Sequence, residues 1–394
     1  MVQRYGAGIA GGSERHCREL ALRLAASHDV TILTTCAADY VTWDNEFPAG
    51  ESVDGPLRVR RFPVRRSRRL KRFAEISDEV FDGRTTAGQQ EEWFRENGPD
   101  CPALLDFLRV EGDQFDLVLF WTFRYAPSFF GVPIVRDRAV LVPTAEEDRA
   151  VELSVLEGFF QTPAGYLFLT PEEETLVSTR AGRPLRPSAV IGMGLDPAPP
   201  VAATPAAPVR EPYLLYVGRV DRNKGCDTLL EYFTGYAAAH EGLSLVLAGP
   251  AKMQVPAHPR IEALGRVSDA ERDALMQSAL ALVVPSPFES LSIVLLEGWN
   301  RGVPAIVNAG CAVLKGQVRR ANGGLYYRSA AEFSEAVETL RASDSDRRAL
   351  GTQGQAYVER EYRWPTVMAR VERLLQEVLD ARGGRGPGSL DPGT

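Results

Sequence analysis

A chain of 394 residues, 44% hydrophobic and 25% charged, has a globular balance and room for two or three domains that each bury a core. Its 45 basic and 52 acidic side chains leave a formal charge of −7, which argues against a general nucleic-acid binder and leaves only local patches open. The five cysteines (Cys17, Cys36, Cys101, Cys226, Cys311) are scattered, odd in number and without a CxxC pair, so neither a disulfide framework nor a zinc site is expected and a reducing cytoplasm fits.

The chain opens MVQRYGAGIAGG, without the charged and then apolar pattern of a signal peptide, and no later run has the length of a membrane-spanning helix. Residues 6 to 11 form a literal GxGxxG, followed by Gly12, Ser13 and an amphipathic helix, RHCRELALRLAAS, for which Ser13 is the expected cap. A dinucleotide fingerprint needs a full strand before the glycines and an acid at the end of the next strand. Here only Met1 to Tyr5 precede them, and the strand at 30–35 runs into Cys36 and two alanines before Asp39. The glycines therefore read as a loop that lets backbone approach a phosphate or sugar, or as an ordinary turn. The short first strand implies a true start upstream.

From Arg58 to Arg72 nine of fifteen residues are basic. That stretch reads as a solvated loop after a short strand, or as a face for an anionic acceptor or for lipid headgroups at the inner membrane surface. Helical segments at 75–96 and 102–109 follow. The apolar runs at 116–121 and 139–143 predict parallel strands buried on both faces, whose ends, Thr122 to Tyr125 and Thr144 to Asp148, open where ligands of such sheets bind. Strands at 166–170 and 188–196 complete an alternating domain over residues 1–196.

Residues 197–212, PAPPVAATPAAPVREP, read as a linker. Alternation then restarts over 213–362: strands in YLLYVGRV, LSLVLAGP, ALGRV, LALVV, AIVN and GGLYY, with helices near 226–240, 269–279, 330–341 and 345–360. A helix at 363–380 and a disordered tail at 381–394 close the chain. Two successive doubly wound α/β halves are implied. Asp344-Ser345-Asp346 is a formal DxD, a metal signature elsewhere, but before a helix and without a ligand cluster it reads as a cap, so no metal is expected.

Two stretches carry the chemistry. Gly218-Arg219-Val220-Asp221-Arg222-Asn223-Lys224-Gly225 sets two cations at a strand end, the charge a departing diphosphate needs. Val284 to Pro304, VPSPFESLSIVLLEGWNRGVP, reads as strand, sharp loop and helix, with Glu289 and Glu297 eight positions apart. If the helix starts near Ser290, that spacing is roughly 12 Å along its axis, the length of a nucleoside diphosphate. A capped helix with an exposed acid is the plainer reading of the same residues.

GRVDRNKG, then PSPFESLSIVLLEGWNRGVPAIVN some 65 residues on, resembles the C-terminal domain of the retaining, metal-independent glycosyltransferases of family 4 (glycosyl transferases group 1). GIAGGSERHCRELALRLA resembles their first glycine loop and helix, and IGMGLD and GGLYY fit the same pattern. The resemblance implies the GT-B fold, two Rossmann-like domains across a cleft with a last helix crossing back to the first. It implies transfer of a sugar from a nucleoside-diphosphate sugar, without cofactor, to a small-molecule, glycan or lipid-linked acceptor.

It further implies that Arg219 and Lys224 stabilise the leaving diphosphate, that Glu289 contacts the transferred sugar, and that Glu297 binds ribose hydroxyls. Leu291 and Ser292 would offer backbone amides to the phosphates, Gly218 would line the donor, and Gly11 and Gly12 would face it from the other domain. Gly265 to Ser268, including Arg266 and Val267, would meet the base.

Two departures stand out. Many relatives have an aromatic residue and a glycine where this chain has Leu291 and Ser292, so the serine either tightens the phosphate approach or adds a hydroxyl bond. Relatives also place a histidine at a strand end near the sugar. None of His16, His28, His240 and His258 is so placed in sequence, and Glu146 or Glu147 stands there instead. Two alternatives follow. One is a GT-B protein of weakened activity acting as a membrane-surface or assembly partner. The other is a nucleotide-sugar epimerase or phosphorylase, the latter needing a pyridoxal lysine for which Lys252 and Lys315 lie in poor context.

Overall fold

The computed structural model describes residues 1–9, 11–83, 85–199, 209–210 and 212–383. Most of the expected linker and nearly all of the expected tail thus lie outside the described residues. The chain divides into two compact units, residues 1–193 with 367–394, and residues 194–366.

In the first unit α1 (Gly12–Leu24) is followed by β1 (Thr31–Thr35), the hairpin β2 (Gly50–Asp54) and β3 (Leu57–Phe62), then α2 (Leu70–Asp82), α3 (Ala87–Asn97) and α4 (Pro102–Glu111). Strand and helix then alternate through β4 (Val118–Trp121), α5 (Ala126–Gly131), β5 (Ala139–Val142), α6 (Val155–Phe160), β6 (Gly165–Phe168), α7 (Pro171–Arg180) and β7 (Ser188–Val190). Strands β4 to β7 are parallel neighbours in sequence order, and β1 pairs in parallel with β3, whose other edge carries antiparallel β2. Met1 and Val2 link the two sets: Val2 N donates to Leu33 O of β1 at 3.1 Å, and Trp121 N of β4 donates to Met1 O at 3.0 Å. The opening residues so take the central strand's place, and Met1 to Tyr5 are all buried.

Several expected elements shift. The helix expected over 75–96 is two helices, because Thr86 and Gln89 form a capping box that starts α3 afresh. Ser13 does not cap α1. The cap position is Gly11, and the Ser13 hydroxyl donates to Glu14 Oε2 at 2.9 Å. The strand expected over 188–196 is three residues long.

The basic stretch begins on a strand rather than in a loop, since Arg58, Arg60 and Arg61 lie on β3 between two neighbours. Its charges are met within the unit. Arg58 pairs with Asp29 at 2.6 Å, Arg60 with Glu111 at 3.5 Å, and Arg65 with Asp100 at 2.6 Å. Arg66 and Arg69 both reach the buried carboxylate of Glu96. Arg72 lies 3.5 Å from Glu79 and Lys71 4.0 Å from Glu75, while Arg61 donates to Tyr5 O at 2.8 Å. Arg68 donates to Asn97 and stacks on Trp43 and Phe73, and burial lowers its pKa to about 10. The fold sets carboxylates from elsewhere in the unit against most of these charges.

The second unit holds one six-stranded sheet. In chain order it runs β8 (Tyr213–Val217), α8 (Cys226–Ala239), β9 (Ser244–Ala248), β10 (Ile261–Gly265), α9 (Asp269–Ser278) and β11 (Ala281–Val284). It continues through α10 (Ile293–Asn300), β12 (Ala305–Asn308), α11 (Ala312–Ala321), β13 (Gly324–Tyr327), α12 (Ala330–Ala342) and α13 (Asp344–Glu361). The strand order β10-β9-β8-β11-β12-β13 is parallel throughout and is the doubly wound order 3-2-1-4-5-6. Its four central strands are mostly Leu, Val, Ile and Ala and almost wholly buried, as expected of strands covered on both faces, while the edge strands β10 and β13 carry Glu262 and Tyr326.

Helix α11 was not foreseen, since AVLKGQVRRA carries little apolar weight, although Val313, Leu314, Gln317 and Val318 are buried. Asp344 lies inside α13 and pairs with Arg347 at 2.7 Å; the cap is Ser343, whose Oγ accepts from Asp346 N at 3.2 Å.

The closing helix α14 (Trp364–Gly383) starts in the second unit and belongs to the first from Val367 onward. Trp364 covers Gly194, where a β-carbon would stand 2.3 Å from its ring, and Val378 does the same to Gly165 at 2.6 Å. Within the described residues no helix is long and apolar enough to cross a membrane. All five cysteines are buried and free.

Candidate functional site

In a doubly wound sheet the strands on either side of the order reversal send their following loops to opposite faces, which opens a crevice at their carboxyl ends. In the second unit that point lies between β8 and β11. Arg219 and Lys224 follow β8, and Glu289 follows β11.

The two loops touch at Gly225, whose backbone is left-handed (φ 70°) and whose missing β-carbon would lie 2.3 Å from Pro285 O. Any side chain there would part the loops. Across this contact Lys224 Nζ donates to Glu289 Oε1 at 2.9 Å. The pair is half-open, with the lysine side chain 33% and the glutamate 13% exposed.

The β8 loop is braced from within. Asp221 Oδ1 accepts Asn223 N at 2.8 Å, capping a short 3-10 turn over Arg222–Lys224, while its Oδ2 lies 3.0 Å from Arg219 Nε. The Tyr216 hydroxyl donates to Arg219 O at 2.6 Å, and burial holds its pKa well above the ordinary phenol value. Gly218 N donates to Ala248 O at 3.0 Å. On the β11 side Asn308 Nδ2 donates to Pro285 O at 3.2 Å, and Cys311 beside it is pushed up to about 11 by burial.

Tyr216 and Asn308 had no motif to mark them, and Asp221 stands inside GRVDRNKG without a role that the motif assigns. Each sits within four residues of a strand's carboxyl end, which is the one signal that could have found them.

Helix α10 begins at Ile293, so Glu289 stands in the loop ahead of it and the axial spacing expected from a start near Ser290 does not apply. Leu291 and Ser292 are buried in the approach to its first turn. Glu297 lies on the helix, its side chain 8% exposed and its Oε1 4.0 Å from Arg272 Nη2 of α9. Arg301 extends this network, reaching Asp273 at 2.7 Å and Glu297 O at 3.0 Å. After β10, Arg266 is exposed and Val267 half-buried, at the same end of the sheet. Of the other lysines considered, Lys315 places its ammonium 5.4 Å from the Tyr326 ring centroid and Lys252 is exposed.

The first unit has its own arrangement around the glycine loop. A β-carbon on Gly11 would stand 2.1 Å from Glu14 Oε2, so the loop closes directly over a buried carboxylate, and Gly12 opens α1 behind it. Glu14 Oε1 accepts from Arg4 Nε at 2.9 Å and Gln3 Nε2 at 3.0 Å. His16 is wholly committed: Trp121 Nε1 donates to its Nδ1 at 3.0 Å, and its Nε2 lies 2.9 Å from Gly192 O. Burial lowers its pKa to about 4.

After β5, Glu146 is half-buried and Glu147 exposed. Beneath them Glu173 accepts Ala145 N at 2.7 Å and Leu169 N at 2.5 Å, tying the β5 and β6 loops together. Burial raises the Glu173 pKa to about 8 despite those donors.

Residues 202–357 match the family model described as glycosyl transferases group 1. The second unit is a glycosyl transferases group 1 domain. Glycogen synthase of Mycobacterium tuberculosis is 26% identical over 213 residues, half of either chain. The chain spans about half the length of the curated relatives it matches.

Sucrose-phosphate synthase from Thermosynechococcus elongatus superposes with a TM-score of 0.70 at 19% identity, covering 96% of this chain and 99% of that one. HepE of Anabaena, solved in complex with UDP and glucose, gives 0.66 at 14% identity, covering 95% and 99%. The fold is therefore GT-B over nearly the whole chain. Within the group 1 domain, Arg219, Lys224, Glu289 and Glu297 all fall inside the matched residues.

Proposed function

We propose that this chain is a retaining glycosyltransferase that moves a hexosyl group from a nucleoside-diphosphate sugar to an acceptor hydroxyl. The observation that carries the reading is the 2.9 Å pair of Lys224 and Glu289 at the sheet's reversal point, with Arg219 on the same braced loop. A diphosphate brings the largest charge such a site meets, and the two cations stand where it develops as the bond to the sugar breaks. They supply that charge from the protein, so no metal ion or cofactor enters this reading. The glycosyl transferases group 1 match and the UDP held on the same fold in HepE support a nucleotide-sugar donor.

Glu289 holds Lys224 through Oε1 and offers Oε2 to a hydroxyl of the transferred sugar. Glu297, farther along α10, takes the ribose hydroxyls, and the backbone after β10 meets the base. As the bond from C1 to the phosphate oxygen breaks, the acceptor oxygen bonds C1 from the same face. Its proton passes to the departing phosphate oxygen, so configuration is retained without a nucleophilic side chain.

A thermal-shift panel of uridine, guanosine, adenosine and thymidine diphosphates and their sugars identifies the donor, since the true ligand stabilises in proportion to RT ln(1 + [L]/Kd). With that donor, Glu289→Ala and Lys224→Ala each lose about 100-fold or more in kcat. Turnover of Glu289→Ala within a few-fold of the parent would refute the assignment.

A further inference from the structure

Ser292 sits at the cap position of the eight-residue helix α10, where a serine hydroxyl ordinarily accepts a backbone N–H of the first turn. It makes no such bond here. The residue is 2% exposed, its Oγ is shut off from solvent, and it has no hydrogen-bond partner among the described residues. A buried hydroxyl in that state is costly unless something supplies its partner. Leu296 N, bonded to Ser292 O at 3.3 Å, leaves the N–H groups of Ile293 to Leu295 as the open first turn of the helix. Three residues upstream stands Glu289 with its lysine.

From the orphaned hydroxyl at this helix start we infer that the Ser292 side chain, not only its backbone, donates a hydrogen bond to a phosphate oxygen of the nucleoside diphosphate. The inference rests on the proposed donor reading. Of the two roles the sequence leaves open for this serine, an extra bond or a tighter approach, the unmet hydroxyl selects the extra bond. The hydroxyl needs an acceptor only and turns about a single torsion, while the apolar side chains of its neighbours Leu291 and Ile293 offer none. A diphosphate oxygen at a helix start is the acceptor that the adjacent cations would bring there. Ser292 is then a diphosphate-binding residue of this chain through its side chain as well as its backbone.

The test compares Ser292→Ala with the parent by calorimetric titration of UDP and of inorganic pyrophosphate, beside melting curves without ligand. Ser292→Ala weakens both ligands about tenfold. Its own melting temperature equals or exceeds the parent's, because an unmet buried hydroxyl has been removed. Unchanged affinity for both ligands, or a lower melting temperature with an unchanged ligand-induced rise, would assign the hydroxyl a purely structural role and overturn the inference. Failure of the parent to bind UDP, pyrophosphate or any of the other nucleoside diphosphates overturns the donor reading itself, and this inference with it.

Discussion

Lowering the pH should unfasten the first unit at His16. The imidazole is buried where α1, β4 and the loop after β7 meet, accepting from Trp121 and facing Gly192 O. Accepting at Nδ1 requires that nitrogen unprotonated, so the folded protein refuses a proton that the unfolded chain takes up near 6.5. The sign follows from linkage: stability from this group is fully present above 6.5 and is lost as pH falls from there toward 4.

The gap between 6.5 and about 4 is about 2.5, which at about 1.4 kcal/mol per pH unit amounts to about 3 kcal/mol. Urea unfolding of the parent and of His16→Leu at intervals between pH 4 and 7 isolates the effect. The difference between the two proteins should tilt toward the variant as pH falls, whatever their absolute stabilities. Proton NMR gives a second readout, since the chain has only four histidines and the His16 ring should fail to titrate until near pH 4. A flat difference across that range, or a His16 midpoint near 6.5, would refute the reasoning.

Gly225→Ala should cost about 1–3 kcal/mol and depress UDP binding, because the added carbon meets Pro285 O and the residue's φ is positive. An unchanged melt and an unchanged UDP-induced shift would show that the two loops yield freely. Glu96→Ala removes a carboxylate that is 1% exposed from between Arg66 and Arg69. Both arginines are exposed enough to regain water, so about 1–2 kcal/mol is expected, well short of a fully buried pair. The same variant uncovers Arg69 and leaves Arg66 only Asp100, at 3.9 Å, and should co-sediment with anionic vesicles more strongly than the parent at low salt. Equal sedimentation would show that the counter-charges within the unit do not decide lipid contact.

The sequence by itself determined a great deal of the second unit. Apolar runs of four or five residues separated by helical segments announce parallel strands, and GRVDRNKG and PSPFESLSIVLLEG lie at strand ends whatever the strand order. The local chemistry of Arg219, Lys224 and Glu289 was legible for that reason.

What only the tertiary structure decided is which strand ends are neighbours. The order 3-2-1-4-5-6 brings β8 beside β11 and so sets Lys224 against Glu289 across 65 residues of chain, an adjacency that depends on long-range pairing. Asn308 acts on the backbone of Pro285, 23 residues away, and nothing in its own neighbourhood forecasts that, whereas Tyr216 and Asp221 brace their own loop through Arg219 O and Asn223 N. In the first unit the same reason applied twice. Met1 and Val2 could not be seen to fill the central strand until β1 and β4 bonded them from either side. The Arg-rich run could not be read as a paired structural element until Glu96, Asp100 and Glu111 were folded against it. Charge in a sequence is counted by sign, but its effect depends on which opposite charge the fold places beside it.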